Sequence, residues 1–172
     1  ATRGVDVISP LIGLSEERIE YYNLAKSFAD KELRPFASKW DRESIFPLDT
    51  FKKFSTVGFG GMFVREDVGG TSLCRADTGP IIEALATGCV GTTALLTIHN
   101  ANALVIDKFG TSLQRKMWLP KLVNMDMLVS FCLTEPGECV EVDFSLISVA
   151  HKPCYPAVFV SRQRVGRGIA GY

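Results

Sequence analysis

The sequence predicts a mainly α fold that gives way to a short strand near residue 128 and ends in an irregular tail. Apolar residues recur at helical spacing through most of the chain up to Trp118, and the run Leu128-Val129-Ser130-Phe131-Cys132-Leu133 then replaces that period with strand formers. Beyond it, Pro153, Pro156, Gly166, Gly168 and Gly171 interrupt any regular pattern.

The first helix is predicted to follow Ser15, a suitable N-cap, with Glu16 and Glu17 in the turn where the helix dipole favours negative charge. Ile19, Tyr22, Phe28, Ala29 and Leu33 fall on its apolar side. Pro35 lacks an amide donor, so this helix should stop or kink near Arg34. Leu48, Phe51, Phe54 and Val57 mark a second helix, closed by Gly58 in a left-handed conformation. The five glycines between Gly58 and Leu73 predict a connecting loop with sharp turns or close backbone approach. Ile81, Ile82 and Leu85 point to a helix over 77–86. Over 92–109, Leu95, Leu96, Ile98, Ala101, Leu104 and Val105 leave only a narrow polar side, the pattern of a central, largely buried helix. Gly110 caps it, and a short helix over 112–118 should end before Pro120. The expected organisation is a helical domain over 1–127, a strand and turn over 128–137, and a divergent tail over 138–172 with strand candidates at 140–149 and 157–160.

The 172 residues are 47% hydrophobic and 22% charged, enough to bury a core. Lys plus Arg and Asp plus Glu are 19 each, so no global field draws in nucleic acid or an anionic membrane. No apolar run reaches the roughly 18 residues of a membrane span, and no secretory signal pattern opens the chain. The five cysteines form no C-x-x-C pair, which argues against a zinc module, and their odd number suits a reducing compartment. Only His99 and His151 are present, and neither G-x-S-x-G nor a P-loop occurs, which argues against hydrolase and P-loop chemistries. His99 reads as a core histidine whose ring meets a backbone group or a neighbouring amide, Asn100 or Asn102, with a place at a ligand pocket as the alternative. The glycine pairs read as chain geometry, Phe51, Phe54, Phe59 and Phe63 as core, and Arg65-Glu66-Asp67 as a solvated loop.

The order of several motifs is more specific than any one of them. Phe59-Gly60-Gly61-Met62 with Asp67-Val68-Gly69-Gly70, then Glu83-Ala84-Leu85-Ala86, Thr97-Ile98-His99-Asn100, Phe109-Gly110-Thr111 with Gln114-Arg115, and the run from Phe131 to Gly137 together resemble the acyl-CoA dehydrogenase family, in its short branched-chain, isobutyryl-CoA type. The resemblance covers about residues 14–137. It implies the family's N-terminal all-helical domain, followed by the first strand of its middle β-domain. It also implies an FAD-dependent α,β-dehydrogenation of a short branched acyl-CoA in valine breakdown, in the mitochondrial matrix, with electrons passed to electron-transferring flavoprotein. By the same resemblance Phe131, Cys132, Leu133, Thr134, Glu135, Pro136 and Gly137 would contact the flavin, with backbone amides and the Thr134 hydroxyl on its pyrimidine edge. Leu96 and His99, with Ile98 between them, would lie near the acyl pocket.

After Gly137 the resemblance stops. Where the family continues with a glycine-serine-aspartate run, this chain has Glu138-Cys139-Val140-Glu141-Val142-Asp143, which places a carboxylate where a diphosphate would lie. None of the glutamates matches the family's catalytic base. The expectation is a shortened or alternative product, whose tail comes from a different reading of the message and which is inactive alone. The other reading is a non-catalytic helical module that binds partners through the same domain. A helical domain of this kind exposes apolar surface, so self-association or a partner subunit is expected in either case.

Overall fold

A computed structural model describes residues 11–131 and 158–162, with residues 131 and 158–162 described by their backbone. Helix α1 (Glu16–Phe28) starts where the Ser15 hydroxyl accepts from the Arg18 amide. A π-helical segment, Ala29–Leu33, joins it to α2 (Arg34–Arg42). Helix α3 (Leu48–Thr56) ends at Gly58, whose φ of +80° confirms the left-handed terminus. Two 3-10 turns, Phe59–Gly61 and Glu66–Val68, shape the glycine-rich connection to α4 (Arg75–Ala86). Then come α5 (Val90–Phe109), α6 (Ser112–Val123) and strand β1 (Met127–Phe131). Strand β1 pairs antiparallel with β2 (Val158–Arg162), with Val129 opposite Val160. The predicted strand at 140–149 lies outside the described residues.

Two apolar clusters hold these elements. The larger joins α1, the π segment, α3, α4 and α5 through Ala25, Phe28, Leu33, Phe51, Phe54, Ile81, Leu85 and Leu96, with Phe28 and Phe54 stacked at 4.7 Å. The smaller joins α5 and α6 to β1 through Ala103, Leu119, Leu122, Met127 and Val129, with Val64 from the loop. Phe51, Phe54 and Phe59 are core as expected, and Phe63 is half-buried.

Local expectations are refined. The interruption expected near Arg34 takes the form of the π segment rather than an end: the backbone widens over Ala29–Leu33, which absorbs the missing donor of Pro35, and the chain continues as α2 to Arg42. No residue of α2 is fully buried, but Phe36 and Trp40, one turn apart, stack at 5.7 Å and Trp40 packs against the larger core. Helix α6 runs through Pro120 to Val123 rather than ending before it. The carbonyl that Pro120 cannot serve belongs to Lys116, an exposed residue within reach of water, while Leu119 and Leu122 on the other side are buried. Arg65-Glu66-Asp67 is exposed as expected, and the turn is also pinned. Arg65 reaches Asp107 at 3.0 Å, and Arg115 bridges Asp107 at 2.7 Å and Asp67 at 2.9 Å, tying the loop to α5 and α6. The Asp107 side chain is only 3% exposed. Burial opposes its charge, yet the hydrogen bonds of the two arginines hold its carboxyl below the usual range.

The glycine pairs act by close approach. A Cβ on Gly60 would collide with the Val123 carbonyl and one on Gly70 with that of Val64. The Gly60→Ala variant should lose about 2 kcal/mol or more in urea unfolding. Gly79→Ala, in helix α4 where an added Cβ meets nothing within 4 Å, should gain roughly 0.5–1 kcal/mol in the same measurement.

Candidate functional site

Helix α5 is the element on which the others converge, and its polarity is inverted. Its buried residues are Thr92, Thr93, Leu96, His99, Asn100, Asn102, Ala103 and Asp107, six of the eight polar, whereas Gly91, Ala94, Leu95, Ile98, Ala101, Lys108 and Phe109 are exposed. The narrow polar side seen in the sequence therefore faces inward, and the expectation of a largely buried helix is corrected to one buried on its polar side.

The inward side works as a backbone clamp. Asn100, fully buried, accepts from the Met62 amide at 2.7 Å and donates to the Phe59 and Leu96 carbonyls at 3.0 and 3.1 Å. His99 accepts from the Val129 amide through Nδ1 at 3.3 Å, so its proton resides on Nε2 and is donated to the Leu122 carbonyl at 3.2 Å. The neighbouring amides proposed from sequence do not serve it: Asn100 clamps the loop, and Asn102 turns back onto the Ile98 carbonyl at 2.8 Å. Thr93 and Thr97 likewise bond carbonyls one turn earlier, so the inward side presents satisfied polar groups.

The outward side is an apolar wall. Leu95 and Ile98 are 43% and 42% exposed, and the helix carries two charged residues, Asp107, which is buried, and Lys108. No carboxylate stands on this side. Such a surface can desolvate an apolar ligand or a packing partner, and it offers no base. Further exposed apolar residues, Leu113 and Met117, lie on α6.

Of the residues singled out from sequence, Leu96 and His99 are each 1% exposed and point inward, while Leu95 and Ile98 line the wall. The signal for Leu95 and Ile98 was present in the near absence of charge along 90–109, but the periodicity alone did not say which side was covered. Phe131 closes strand β1, its backbone opposite Val158. Cys132, Leu133, Thr134, Glu135, Pro136 and Gly137 lie outside the described residues. Among the described residues no cluster of His, Cys, Asp and Glu could hold a metal, and no helix is long and apolar enough to cross a membrane.

Residues 15–126 match the model of the acyl-CoA dehydrogenase N-terminal domain. The chain belongs to the acyl-CoA dehydrogenase family. It is 50% identical over 131 residues to the mitochondrial isobutyryl-CoA dehydrogenase of Dictyostelium discoideum, an alignment covering 76% of this chain and 32% of the relative. The butyryl-CoA dehydrogenase structure from Megasphaera elsdenii superimposes with a TM-score of 0.62 at 26% identity, covering 73% of this chain and 34% of that one. The FAD complex of PigA superimposes with a TM-score of 0.66 at 29% identity, covering 72% and 33%. The chain thus spans about a third of the length of the curated relatives it matches. In this family member α5 with His99 and Asn100 belongs to the matched domain, and β1, which carries the Val129 amide, starts immediately after it.

Burial pushes the His99 imidazole down to about 4, against the opposing pull of the Leu122 and Gly60 carbonyls. An unfolded histidine near 6.5 binds its proton first, so the neutral clamp contributes stability above about 6.5 that is lost as pH falls toward about 4. The lowered carboxyls of Asp30, Asp77 and Asp107 begin to lose their contribution as pH approaches the ordinary aspartate value of 3.8, so little of their loss falls in this window. Urea titrations between pH 7 and 4.5 should therefore show a fall of about 2–2.5 kcal/mol that is largely removed in His99→Gln.

Proposed function

We propose that this chain is the helical, substrate-facing part of an FAD-dependent dehydrogenase for short branched acyl-CoA thioesters, of the isobutyryl-CoA type, acting in the mitochondrial matrix with electron-transferring flavoprotein as electron acceptor. The observation that carries the proposal is the outward side of α5, an uncharged apolar wall with Leu95 and Ile98 exposed on it, in a chain whose relatives at about half identity are isobutyryl-CoA dehydrogenases. A short branched acyl group has no polar atoms beyond its thioester, so a wall of this chemistry binds it by removing it from water.

The residues fit a flavin in two respects. An isoalloxazine is a flat ring system with one polar edge, and α5 presents an apolar surface for its non-polar portion. Strand β1, fixed by His99, runs directly into the segment Phe131 to Gly137, whose amides and Thr134 hydroxyl are the proposed donors to the polar edge. Bound flavin supplies the acceptor for the hydride leaving Cβ. The chain's own contribution is to orient the acyl group along α5 and exclude water from it. Abstraction of the Cα proton needs a carboxylate base, and the outward side of α5 has none. The 172-residue chain is therefore proposed not to oxidise acyl-CoA by itself.

A chimera tests this reading: residues 15–131 replace the corresponding segment of the Dictyostelium isobutyryl-CoA dehydrogenase. It should hold FAD and reduce electron-transferring flavoprotein with isobutyryl-CoA. Ile98→Asp in that chimera should cut kcat/KM at least tenfold. A chimera that folds without flavin, or whose turnover is indifferent to the aspartate, would favour the non-catalytic partner-binding module instead.

A further inference from the structure

We infer that His99 is a positioning residue that sets the placement of strand β1, whose last residue Phe131 opens the proposed flavin-contacting segment, through two bonds of opposite sense to the chain on either side of the helix-to-strand junction. The inference rests on the reading of Phe131 to Gly137 given under the proposed function.

The junction is short and unusual. Helix α6 ends at Val123, and β1 begins at Met127. Between them Met125 adopts a φ of +56°, a left-handed conformation that a side-chain-bearing residue rarely takes, with its side chain fully buried in the larger core. The surroundings must hold that conformation in place. The Leu122 carbonyl accepts from the Met125 amide at 3.0 Å and also from His99 Nε2, while His99 Nδ1 takes the amide of Val129 on the strand. One rigid ring thus spans the reversal, gripping its last helical turn with one nitrogen and the strand with the other. Phe131, the first residue of the proposed flavin segment, lies two residues beyond the gripped amide, too near for slack to develop.

The two nitrogens can be tested separately in the full 172-residue chain. In His99→Asn the amide oxygen occupies the Nδ1 place and can still accept from Val129, whereas in His99→Gln the amide nitrogen occupies the Nε2 place and keeps only the Leu122 bond. Hydrogen exchange at the Val129 amide should accelerate at least tenfold in His99→Gln and by much less in His99→Asn, with α1 and α4 unchanged in both. FAD itself, titrated by quenching of its fluorescence, should bind at least tenfold more weakly to His99→Gln than to His99→Asn. Equal effects of the two substitutions on Val129 exchange would overturn the inference, as would equal FAD affinities against a tighter wild type. If the wild-type chain takes up no FAD, the flavin reading of this chain fails, and the exchange contrast alone then decides whether His99 positions β1. Should both variants fail to fold, the wild-type imidazole nitrogen shifts decide. A proton on Nε2 supports the inference, and a proton on Nδ1, which could not accept from Val129, overturns it.

Discussion

Backbone groups of segments that are neither helix nor sheet must find partners when they are buried, and in this protein two consecutive side chains of α5 supply them. Asn100 satisfies the Phe59 carbonyl and the Met62 amide of the glycine-rich connection, and His99 satisfies the Leu122 carbonyl and the Val129 amide beyond α6. An unpaired buried amide or carbonyl costs about 1–3 kcal/mol, comparable to a sizeable part of a domain's net stability. The glycines follow from the same constraint. Gly60 and Gly61 bring the loop against Val123 so closely that any side chain would hold it away from Asn100.

Because the polar residues of α5 are committed inward, its outer side is left to apolar ones. A helix in an ordinary globular domain turns its polar side to water, so the reversal marks α5 as an element built to be covered. Its neighbours agree with that role. The Arg65, Asp107 and Arg115 network fixes α5 from the loop and from α6 through the inward Asp107, leaving Leu95 and Ile98 exposed. The result is a scaffold that leaves an apolar face on α5 and leads directly from α6 into strand β1.

Much of this was legible in the sequence. The periods starting at Glu16, Leu48 and Ser112, the Ser15 cap and the Gly58 terminus are local effects, and each appears where local chemistry puts it. The ordered motifs brought out the family, which the match over 15–126 then showed. What was not legible depends on contacts distant in sequence. Pro35 and Pro120 carry the same local instruction to stop, yet a π segment absorbs one, and burial of Leu119 and Leu122 carries the helix through the other. Arg65 and Asp67 read as solvated because their partners, Asp107 and Arg115, lie more than 40 residues away. The partners of His99 were hidden for the same reason: backbone amides and carbonyls leave no mark in a sequence, whereas Asn100 and Asn102 stood next to it.

The clamp is tested most directly by replacing its most connected member with a side chain of nearly equal size. Asn100→Leu preserves volume and helix propensity while leaving the Met62 amide and the Phe59 carbonyl buried without partners. Urea unfolding at pH 7 should show a loss of about 3 kcal/mol or more, with fast amide exchange spreading through residues 59–64 first. A loss of less than about 0.5 kcal/mol, the size of an ordinary surface substitution, would contradict the account, since the loop would then be held by something other than α5.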